Sequence, residues 1–428
     1  MATAEQPKKD SKPAGRGASR ASVLAALDIG TTKVACLIAQ LGEDGELQVV
    51  GVGHHRARGL RNGQIANLDE AESSVREAVG AAEQMANTRI EKVFVNVSCG
   101  APRSRKVEAQ LAVAGHQIRE ADVRRILDIS AVEVDSPDRE VIHCIPTGYS
   151  IDGGHGIVDP RGMYGQKLSV AIQLVTAGIG PVRNLATVIE RCDLDPAARV
   201  VSPYAAGLAC LVDDEKELGV TVIDMGGGTT SIAVFMDGQL MFVDSIPIGG
   251  NHVTADIAKG LSTPIAKAER LKTVYGSVVQ TPADARELLK VPLVGEDDEV
   301  GASEVPKSML VQIIQPRIEE TFEHVRGCLE AGGFAKQAGR RVVLTGGASQ
   351  LEGARDLAEL VLDKQVRLAR PRPIRGLPES VSGPAFAAAA GLLRFGLKEH
   401  VVRPVAGPHG ATEKGRLGRL GQWLKENF

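Results

Sequence analysis

One short segment is repeated in this chain, and both copies follow a run of apolar residues that is typical of a strand. Residues 23–33 read VLAALDIGTTK, and residues 220–230 read VTVIDMGGGTT. The aspartates of the two copies, Asp28 and Asp224, are 196 positions apart (224 − 28), about the length of one domain. Each copy predicts a β-hairpin with a glycine- and threonine-rich tip. The repeat therefore predicts two similar halves with one such tip in each.

The chemistry of the two tips suits an anion held between them. Glycine permits close approach of the backbone, so that N–H groups can face an anion, and threonine hydroxyls add donors. Two facing tips could hold a polyphosphate from both sides. The aspartates could hold Mg²⁺ directly or through water, since a hard cation prefers oxygen ligands. The predicted ligands are Asp28, Gly30, Thr31, Thr32 and Lys33 in the first copy, and Asp224, Gly226, Gly227, Gly228, Thr229 and Thr230 in the second.

A third glycine-rich turn, TGGAS at residues 345–349, follows a strand pattern at 341–344 and precedes a predicted helix at 353–362. Because it lacks Cβ atoms, its backbone could lie flat against a purine ring or a ribose, although a plain strand-to-helix turn could have the same sequence. Two helices of small residues, 203–211 and 382–396, could cross closely at a hinge between the halves. Together with the two hairpins, these features predict a nucleotide-binding cleft.

Composition narrows the range of partners and compartments. A net charge of −3 and an aromatic content of 3% argue against nucleic acid as a partner. The six cysteines lack metal-binding spacing, which is typical of reduced core cysteines in a cytoplasmic protein. No apolar stretch reaches the roughly 18–20 residues that span a bilayer, and no secretory signal is recognisable at the front. The sequence therefore predicts a soluble or peripheral protein.

Two further features carry no site. His54 and His55, and the acidic run 296–299, lack metal-ligand spacing and are predicted to be exposed loop residues. The glycines at 162 and 165 lack the strand–turn–helix context of a nucleotide motif.

The three turns and two small-residue helices resemble those of the actin-like ATPase superfamily and, within it, the FtsA family of bacterial cell-division proteins. The resemblance covers roughly residues 24–396 and the C-terminal tail. It implies an α/β fold of two actin-like halves, which are duplicated ribonuclease-H-like domains, with ATP and Mg²⁺ between them and the metal near Asp28 and Asp224. The two repeats match the phosphate motifs of the family, and helices 203–211 and 382–396 match its connecting segments. By the same resemblance, the adenosine contacts are Gly346, Gly347, Ala348 and Ser349, with Glu269 and Lys272 against the ribose and adenine.

One position departs from the superfamily pattern. Chaperone and filament-forming relatives carry an acid immediately before the proline of the first connecting helix, where it helps to position water. Here that position is Ser202, before Pro203. Because water activation needs a base or acceptor near the γ-phosphate, we expect ATP binding with slow or absent hydrolysis, and no catalytic residue is assigned.

Residues 91–176 have the pattern of a small α+β module inserted in the first half. Strands are predicted at 92–98, 107–113, 140–145 and 168–175, with a helix at 120–134. The module resembles subdomain 1C of FtsA and of the pilus-assembly protein PilM. That resemblance implies self-association into an oligomer or polymer and recruitment of later division proteins. A scaffold insertion without partners remains the alternative.

The chain ends in GRLGRLGQWLKENF, residues 415–428, after a Pro/Gly-rich linker at 402–414. The pattern predicts a short basic helix at a membrane surface, or else one that packs on its own domain. Because a 14-residue segment with three glycines is a marginal helix in water, it predicts a weak anchor that depends on oligomerisation. The predicted membrane contacts are Leu417, Leu420, Trp423, Leu424 and Phe428 on one face, flanked by Arg416, Arg419 and Lys425.

The resemblance implies a protein that anchors filaments of the tubulin-like FtsZ to the cytoplasmic face of the inner membrane at the division septum. The alternatives are a PilM-like adaptor in type IV pilus assembly, without the membrane tail, and a small-molecule kinase of the superfamily.

The predicted domains follow the chain as listed here: a disordered basic tail (1–21), the first actin-like domain (22–90 and 177–212) with insert 1C (91–176), the second actin-like domain (213–255 and 341–401) with a helical subdomain 2B (256–340), a linker (402–414) and a membrane helix (415–428). The resemblance implies that subdomain 2B contacts FtsZ.

Overall fold

The computed structural model describes residues 23–42, 44–132, 136–296 and 302–402. The predicted basic tail at 1–21 and the membrane helix at 415–428 lie outside the described residues, as does the linker after Val402. In the described part of the chain, no helix combines the length and apolarity needed to cross a bilayer.

The first half begins with an antiparallel meander covered by a long helix. Helix α1 is capped at its N-terminus by Asn67, whose side chain accepts hydrogen bonds from the backbone of the first turn. Helix α1 packs closely on strand β3 because the strand has glycine at the contact. A Cβ on Gly53 would lie 1.9 Å from the carbonyl oxygen of Ala78 on the helix. The elements are β1 (Val23–Ile29), β2 (Lys33–Leu41), β3 (Leu47–Arg56), β4 (Leu60–Arg61), β5 (Gln64–Ile65), α1 (Leu68–Ala86) and β6 (Lys92–Val97).

An antiparallel sheet of four strands with one helix is inserted after β6. The sequence predicted the helix and three of these strands. The other predicted strand of the insert, at 92–98, is β6, which pairs with β1 in the sheet of the first half and so lies outside the insert. Its entry and exit lie together, because Gly178 N donates to Gly100 O over 2.7 Å. The helix packs on the sheet through Ile126 and Leu127, within a core separate from that of the main sheets. The glycine-rich stretch between the last two predicted strands contains a short strand that the sequence pattern missed. The elements are β7 (Arg103–Ala112), α2 (Glu120–Val132), β8 (Arg139–Ile151), β9 (Gly154–Ile157) and β10 (Lys167–Gly178).

The chain then returns to the first half and crosses to the second. Its elements are α3 (Ile179–Arg191), β11 (Asp195–Val201), α4 (Ser202–Cys210) and α5 (Asp213–Leu218). β11 completes a sheet of order β11-β6-β1-β2-β3, in which β6 and β11 run parallel to β1. It was absent from the sequence-based prediction, since DPAARVV has no clear apolar alternation.

The second half repeats the first. Its elements are β12 (Val220–Met225), β13 (Thr230–Met236), β14 (Gln239–Ile246), α6 (Gly250–Gly260), α7 (Ile265–Tyr275), β15 (Leu288–Pro292), β16 (Ala302–Pro306), α8 (Lys307–Ala331), α9 (Phe334–Gln337), β17 (Arg341–Thr345), α10 (Ala354–Leu362), β18 (Gln365–Leu368) and α11 (Ala387–Val402). The sheet order β14-β13-β12-β17-β18 is that of the first sheet, strand for strand. This confirms the prediction of duplicated halves.

The two halves meet at helices α4 and α11, which cross in close contact. A Cβ on Gly391 would lie 1.7 Å from the carbonyl oxygen of Ala205, so the small residues set the distance between the helices. The predicted bounds of α11 were wrong at both ends. A 3₁₀ turn at Pro384–Phe386 precedes the helix, which begins at Ala387 and continues to Val402, into the predicted linker.

The two histidines also differ from the prediction. His54 and His55 lie in strand β3, not in a loop, and His55 Nε2 lies 2.6 Å from Glu77 Oε2 on α1. The alternation of burial along β3 explains the error, because its outer positions accept polar side chains.

Candidate nucleotide-binding site

The tips of the two repeated hairpins touch each other. A Cβ on Gly227 would lie 2.3 Å from Thr32 Cγ2, and a Cβ on Gly228 would lie 2.4 Å from Thr31 Oγ1. Thr31 Oγ1 also accepts a hydrogen bond from Gly63 N over 2.9 Å, which fixes the first tip against the loop between β4 and β5. Only glycine in the second tip permits this approach. The structure thus brings the predicted phosphate-binding tips together across the two halves.

The two aspartates meet behind the tips. Asp28 is buried near the end of β1, and Asp224 is partly buried at the corresponding position of β12. Desolvation by burial, with the negative charge of Asp28 as a second cause, raises the pKa of Asp224 to about 7. Lys33 opposes this shift, and its Nζ lies 3.4 Å from Asp28 Oδ2 and 4.6 Å from the ring centroid of Phe386. Two carboxylates thus share one nearby ammonium group.

This arrangement fits a hard divalent cation. Carboxylate oxygens are ligands that Mg²⁺ prefers, and a cation would relieve the repulsion that raises the pKa of Asp224. Within the described ranges, no group of three or more His, Cys, Asp or Glu side chains could hold a metal ion. Asp28 and Asp224 would therefore need water or phosphate oxygens to complete the coordination of Mg²⁺.

The second tip is held by the start of helix α6. Gly250 N donates to Gly226 O over 3.0 Å, and Asn251 N donates to Gly227 O over 2.7 Å. A Cβ on Gly249 would lie 2.6 Å from Gly226 O, so this turn also requires glycine. The carbonyl groups of Gly226 and Gly227 are thereby bound to the start of the helix.

The third glycine turn lies against the end of β12. Thr345 pairs with Asp224 in the parallel strands, and Gly346 follows with a φ of +87°. A Cβ on Gly346 would lie 2.5 Å from both Asp224 Oδ1 and Met225 O. The hydroxyl of Ser349 closes the turn by donating to Gly346 O over 2.8 Å. Gly347 comes next in a 3₁₀ turn, Gly347–Gln350, which packs on the Pro384–Phe386 turn.

Helix α7 brings the predicted base-contacting residues to the same place. Lys272 Nζ donates to Gly250 O over 3.0 Å and to Glu269 Oε2 over 2.7 Å, and only 16% of its side chain is exposed. A Cβ on Gly250 would lie 3.3 Å from Ala348 Cβ and 3.5 Å from Lys272 Nζ. Lys272 thus joins α7 to the start of α6, which holds the second tip, whereas Glu269 is half exposed beside it. Their contact with a ribose or adenine stays a prediction.

Sequence reasoning missed Asn96, which joins the first tip to the hinge. Its Oδ1 accepts a hydrogen bond from Ile29 N over 2.7 Å, and its Nδ2 donates to Ser202 Oγ over 3.2 Å. All three groups are buried. Ser202, the residue before Pro203, is therefore an acceptor for Asn96. The signal in the sequence was an asparagine inside the apolar strand KVFVNV.

The insert reaches the same place through His143. Its Nε2 accepts a hydrogen bond from Val201 N over 3.1 Å, and its ring packs edge-on against Tyr204, 5.5 Å between centroids. Burial, with a smaller contribution from Arg199, lowers the pKa of His143 to about 3, so the ring is neutral. A chain of contacts therefore runs from His143 on β8 to Val201 and Ser202. From Ser202 it continues through Asn96 to Ile29, the residue after Asp28.

The structure brings the predicted nucleotide residues of the three turns and α7 near one another: the two tips touch, the third turn lies against Asp224, and α7 contacts the start of α6 behind the second tip. The remaining members of the tips complete their turns: Gly30 N donates to Lys33 O, Gly226 N donates to Thr229 O, and Thr230 Oγ1 donates to Ile248 O. The eight predicted membrane-contacting residues, 416–428, lie outside the described residues.

Comparison with known proteins gives a consistent family. The family model "Cell division protein FtsA" matches residues 221–391, and "SHS2 domain inserted in FTSA" matches residues 100–176. The chain is 43% identical over 422 residues to "Cell division protein FtsA" of Rhizobium meliloti (strain 1021), covering 96% of each chain. It is 34% identical to the protein of that name from Pseudomonas aeruginosa, with 95% of this chain and 98% of the relative covered. For the Escherichia coli (strain K12) protein the identity is 31%, with coverages of 94% and 97%.

Solved structures share the fold. The PilM-PilN type IV pilus biogenesis complex matches with a TM-score of 0.62 and 18% identity, covering 87% of this chain and 98% of that chain. MreB5 of Spiroplasma citri bound to ADP matches with a TM-score of 0.53 and 14% identity, covering 89% and 99%. At these identities the likeness confirms the actin-like fold alone.

Proposed function

This chain belongs to the FtsA family of bacterial cell-division proteins, since relatives 31–43% identical over nearly their full length carry that name, and on that premise we propose its cellular role. It binds ATP with Mg²⁺ and anchors FtsZ filaments to the cytoplasmic face of the inner membrane at the division septum. It also self-associates there and recruits later division proteins. Bound nucleotide acts as a clamp between the halves that favours the conformation competent for assembly.

The observation that carries the nucleotide proposal is the direct contact between the two hairpin tips, with Asp28 and Asp224 behind them. A nucleotide held here would be bound by both halves at once. Asp28 and Asp224 would hold Mg²⁺, which would neutralise negative charge on the carboxylates and phosphates. Lys33 and the tip threonines would supply donors to the phosphates. Relatives of the fold include a structure described as bound to ADP, which supports a nucleotide as the ligand.

Slow turnover follows from the residue at position 202. Ser202 is buried and accepts from Asn96, so this position offers no carboxylate to accept a proton from water. The nucleotide would therefore remain bound for long periods, as a clamp requires.

The FtsZ contact is proposed for subdomain 2B, residues 256–340. Its described surface carries apolar side chains that are well exposed, including Ile265 and Val274 on α7 and Leu288 on β15. Exposed apolar side chains of this kind favour a protein partner. Self-association and recruitment are proposed for the insert, where Val158 and Tyr164 are 91% and 70% exposed.

Liposome flotation tests the role as a whole. The full chain should float with vesicles that contain anionic lipid and should carry FtsZ with it, more strongly with Mg-ATP than without. A chain that ends at residue 414 should lose flotation. If recruitment to vesicles is unchanged without residues 415–428, the anchor is wrong, and a PilM-like adaptor role gains support. A coupled phosphotransfer screen would detect the small-molecule kinase alternative.

A further inference from the structure

Four cationic residues lie near one another where α5, the segment after β18 and the end of α11 come together; Lys216 is buried, two are partly buried and Lys398 is exposed. We call Lys216, Arg372, Arg394 and Lys398 the basic cluster. Arg394 Nη2 donates to the carbonyl oxygen of Arg372 over 3.2 Å, which places the two arginine residues side by side. Lys398 follows Arg394 by four positions on α11, one helical turn, and so lies on the same face. Lys216 is close enough to Lys398 to lower its pKa, after the larger effect of burial.

Among the described residues, the acidic group that is ion-paired with a member of the cluster is Asp213. Asp213, whose Oδ1 lies 2.9 Å from Lys216 Nζ, has its pKa lowered mainly by Lys216, with Arg372 and Lys398 contributing. The neighbouring Glu215 accepts from Arg367, and Glu399 lies near enough to Tyr204 to raise its pKa. Lys216, Arg372 and Lys398 thus all act on the carboxylate of Asp213.

The arginines also retain unused donors. The Nε atoms of Arg372 and Arg394 are buried and have no hydrogen-bond partner among the described residues. Burial, followed by the charge of Arg372, lowers the pKa of Arg394. Burial and the repulsion between Arg372 and Arg394 both disfavour the charged form of Arg394 in the isolated protein. An anion bound at the cluster would relieve the repulsion between the cations.

The surface around the cluster and the exit of the chain indicate which anion this is. Leu218, two residues after Lys216, and Leu368, four residues before Arg372, are exposed apolar side chains. The described chain ends at Val402, four residues and about 6 Å after Lys398. From there to the tail at residue 415, the linker can span at most about 45 Å. A tail lying in a bilayer therefore keeps Val402, at the end of the helix that carries Arg394 and Lys398, within about 45 Å of the lipid headgroups.

We propose that the basic cluster is a second membrane contact, which binds the anionic headgroups of the bilayer that holds the C-terminal tail. This rests on the proposed function, because the tail must first bring the protein to the membrane. Two attachments at different places, the tail and a contact on the folded body, restrict the orientation of the protein at the bilayer more than one attachment does. A weak tail and a weak headgroup site also strengthen each other through local concentration.

Co-flotation of the full chain tests this proposal on vesicles of phosphatidylcholine alone and with 30% phosphatidylglycerol. Since one cation at an anionic surface accounts for about a fivefold change in binding, Lys398→Gln should lower binding to the anionic vesicles by about that factor. The double variant Arg372→Gln/Lys398→Gln should lower it about 25-fold. Binding to neutral vesicles should not change. The matched control is Lys290→Gln, an exposed lysine on β15 with the same loss of charge.

The outcomes separate this proposal from the proposed function. If removal of residues 415–428 abolishes flotation but both cluster variants bind anionic vesicles like the unmodified chain, the cluster is not a membrane contact and the anchor stands. If the full chain binds no vesicles, the anchor fails and the second contact fails with it. Unchanged melting temperature and nucleotide affinity of Lys398→Gln will show that its fold is intact.

Discussion

Asp28 and Asp224 occupy corresponding positions in the two halves, and the charge of Asp28, added to burial, raises the pKa of Asp224 to about 7. The interaction joins residues 196 positions apart (224 − 28) that belong to separate sheets. A pair of like charges held in this way costs stability in the isolated protein and suits a cation that both carboxylates can share. The relationship therefore connects the internal repeat of the sequence to the chemistry of the cleft.

The first prediction concerns the pH dependence of stability. Because the pKa of Asp224 is higher in the folded than in the unfolded chain, the folded state is destabilised as the pH rises from about 4 through 7. Asp224→Asn should therefore raise the melting temperature of the nucleotide-free protein more at pH 8.5 than at pH 5.5. Each kcal/mol of added unfolding free energy corresponds to a rise of about 2–4 °C. Asp214→Asn, at an exposed position, is the control. An equal effect of Asp224→Asn at both pH values would show that Asp224 is ionised throughout this range.

The second prediction concerns the contact between the tips. In Gly228→Ala, the new methyl group would meet Thr31 Oγ1 at 2.4 Å and the backbone of Asn62 at 2.8 Å, which forces the tips apart. We expect the affinity for Mg-ATP to fall by at least about tenfold, since 1.4 kcal/mol of strain is enough for this. Titration calorimetry measures the change. Gly80→Ala on α1, where a Cβ meets nothing within 4 Å, should leave affinity unchanged and raise the melting temperature.

The third prediction concerns Asn96. Asn96→Ala removes the partners of Ile29 N and of Ser202 Oγ, and an unpaired buried polar group costs about 1–3 kcal/mol. Ser202→Ala removes only one of these bonds and should cost less. In a double-mutant cycle by urea unfolding, the two changes should therefore be less than additive. Full additivity would mean that the Asn96–Ser202 contact contributes nothing to stability.

The fourth prediction concerns His143 on β8 of the insert. Its pKa is lowered to about 3 by burial, so the unfolded chain takes up a proton first as the pH falls below 6.5. Stability should decline from pH 6.5 downwards for this reason. His143→Gln keeps an acceptor for Val201 N and cannot gain charge, so the loss of unfolding free energy between pH 7.5 and pH 5 should be smaller than in the unmodified chain. The control is His116→Gln, at an exposed histidine. Over this pH range it should lose as much unfolding free energy as the unmodified chain.

The parts of the site that the sequence predicted are local in the chain. Each hairpin and the third turn are contiguous segments, and Gly346, with a φ of +87°, is required by the geometry of its own turn. The duplication added a long-range restraint, because it placed the two tips in equivalent positions of equivalent sheets.

The parts that sequence reasoning missed depend on contacts between distant segments. Asn96 meets residues 67 and 106 positions away, and His143 comes from the insert, so neither role has a local signature. Strands β9 and β11 were missed because glycine and proline weaken the alternation on which strand prediction depends. The basic cluster likewise joins α5 and α11, which are far apart in the chain.

The central claim is that a magnesium nucleotide is held between the halves by both aspartates. Its most direct test is titration calorimetry of Mg-ATP with the unmodified chain, Asp28→Asn, Asp224→Asn and the control Asp237→Asn, an exposed turn residue at the far end of the second hairpin. We predict that Asp28→Asn and Asp224→Asn each weaken binding by at least about tenfold, equivalent to 1.4 kcal/mol, and that Asp237→Asn binds normally. Unchanged affinity in either Asp28→Asn or Asp224→Asn would contradict a site shared by the two halves.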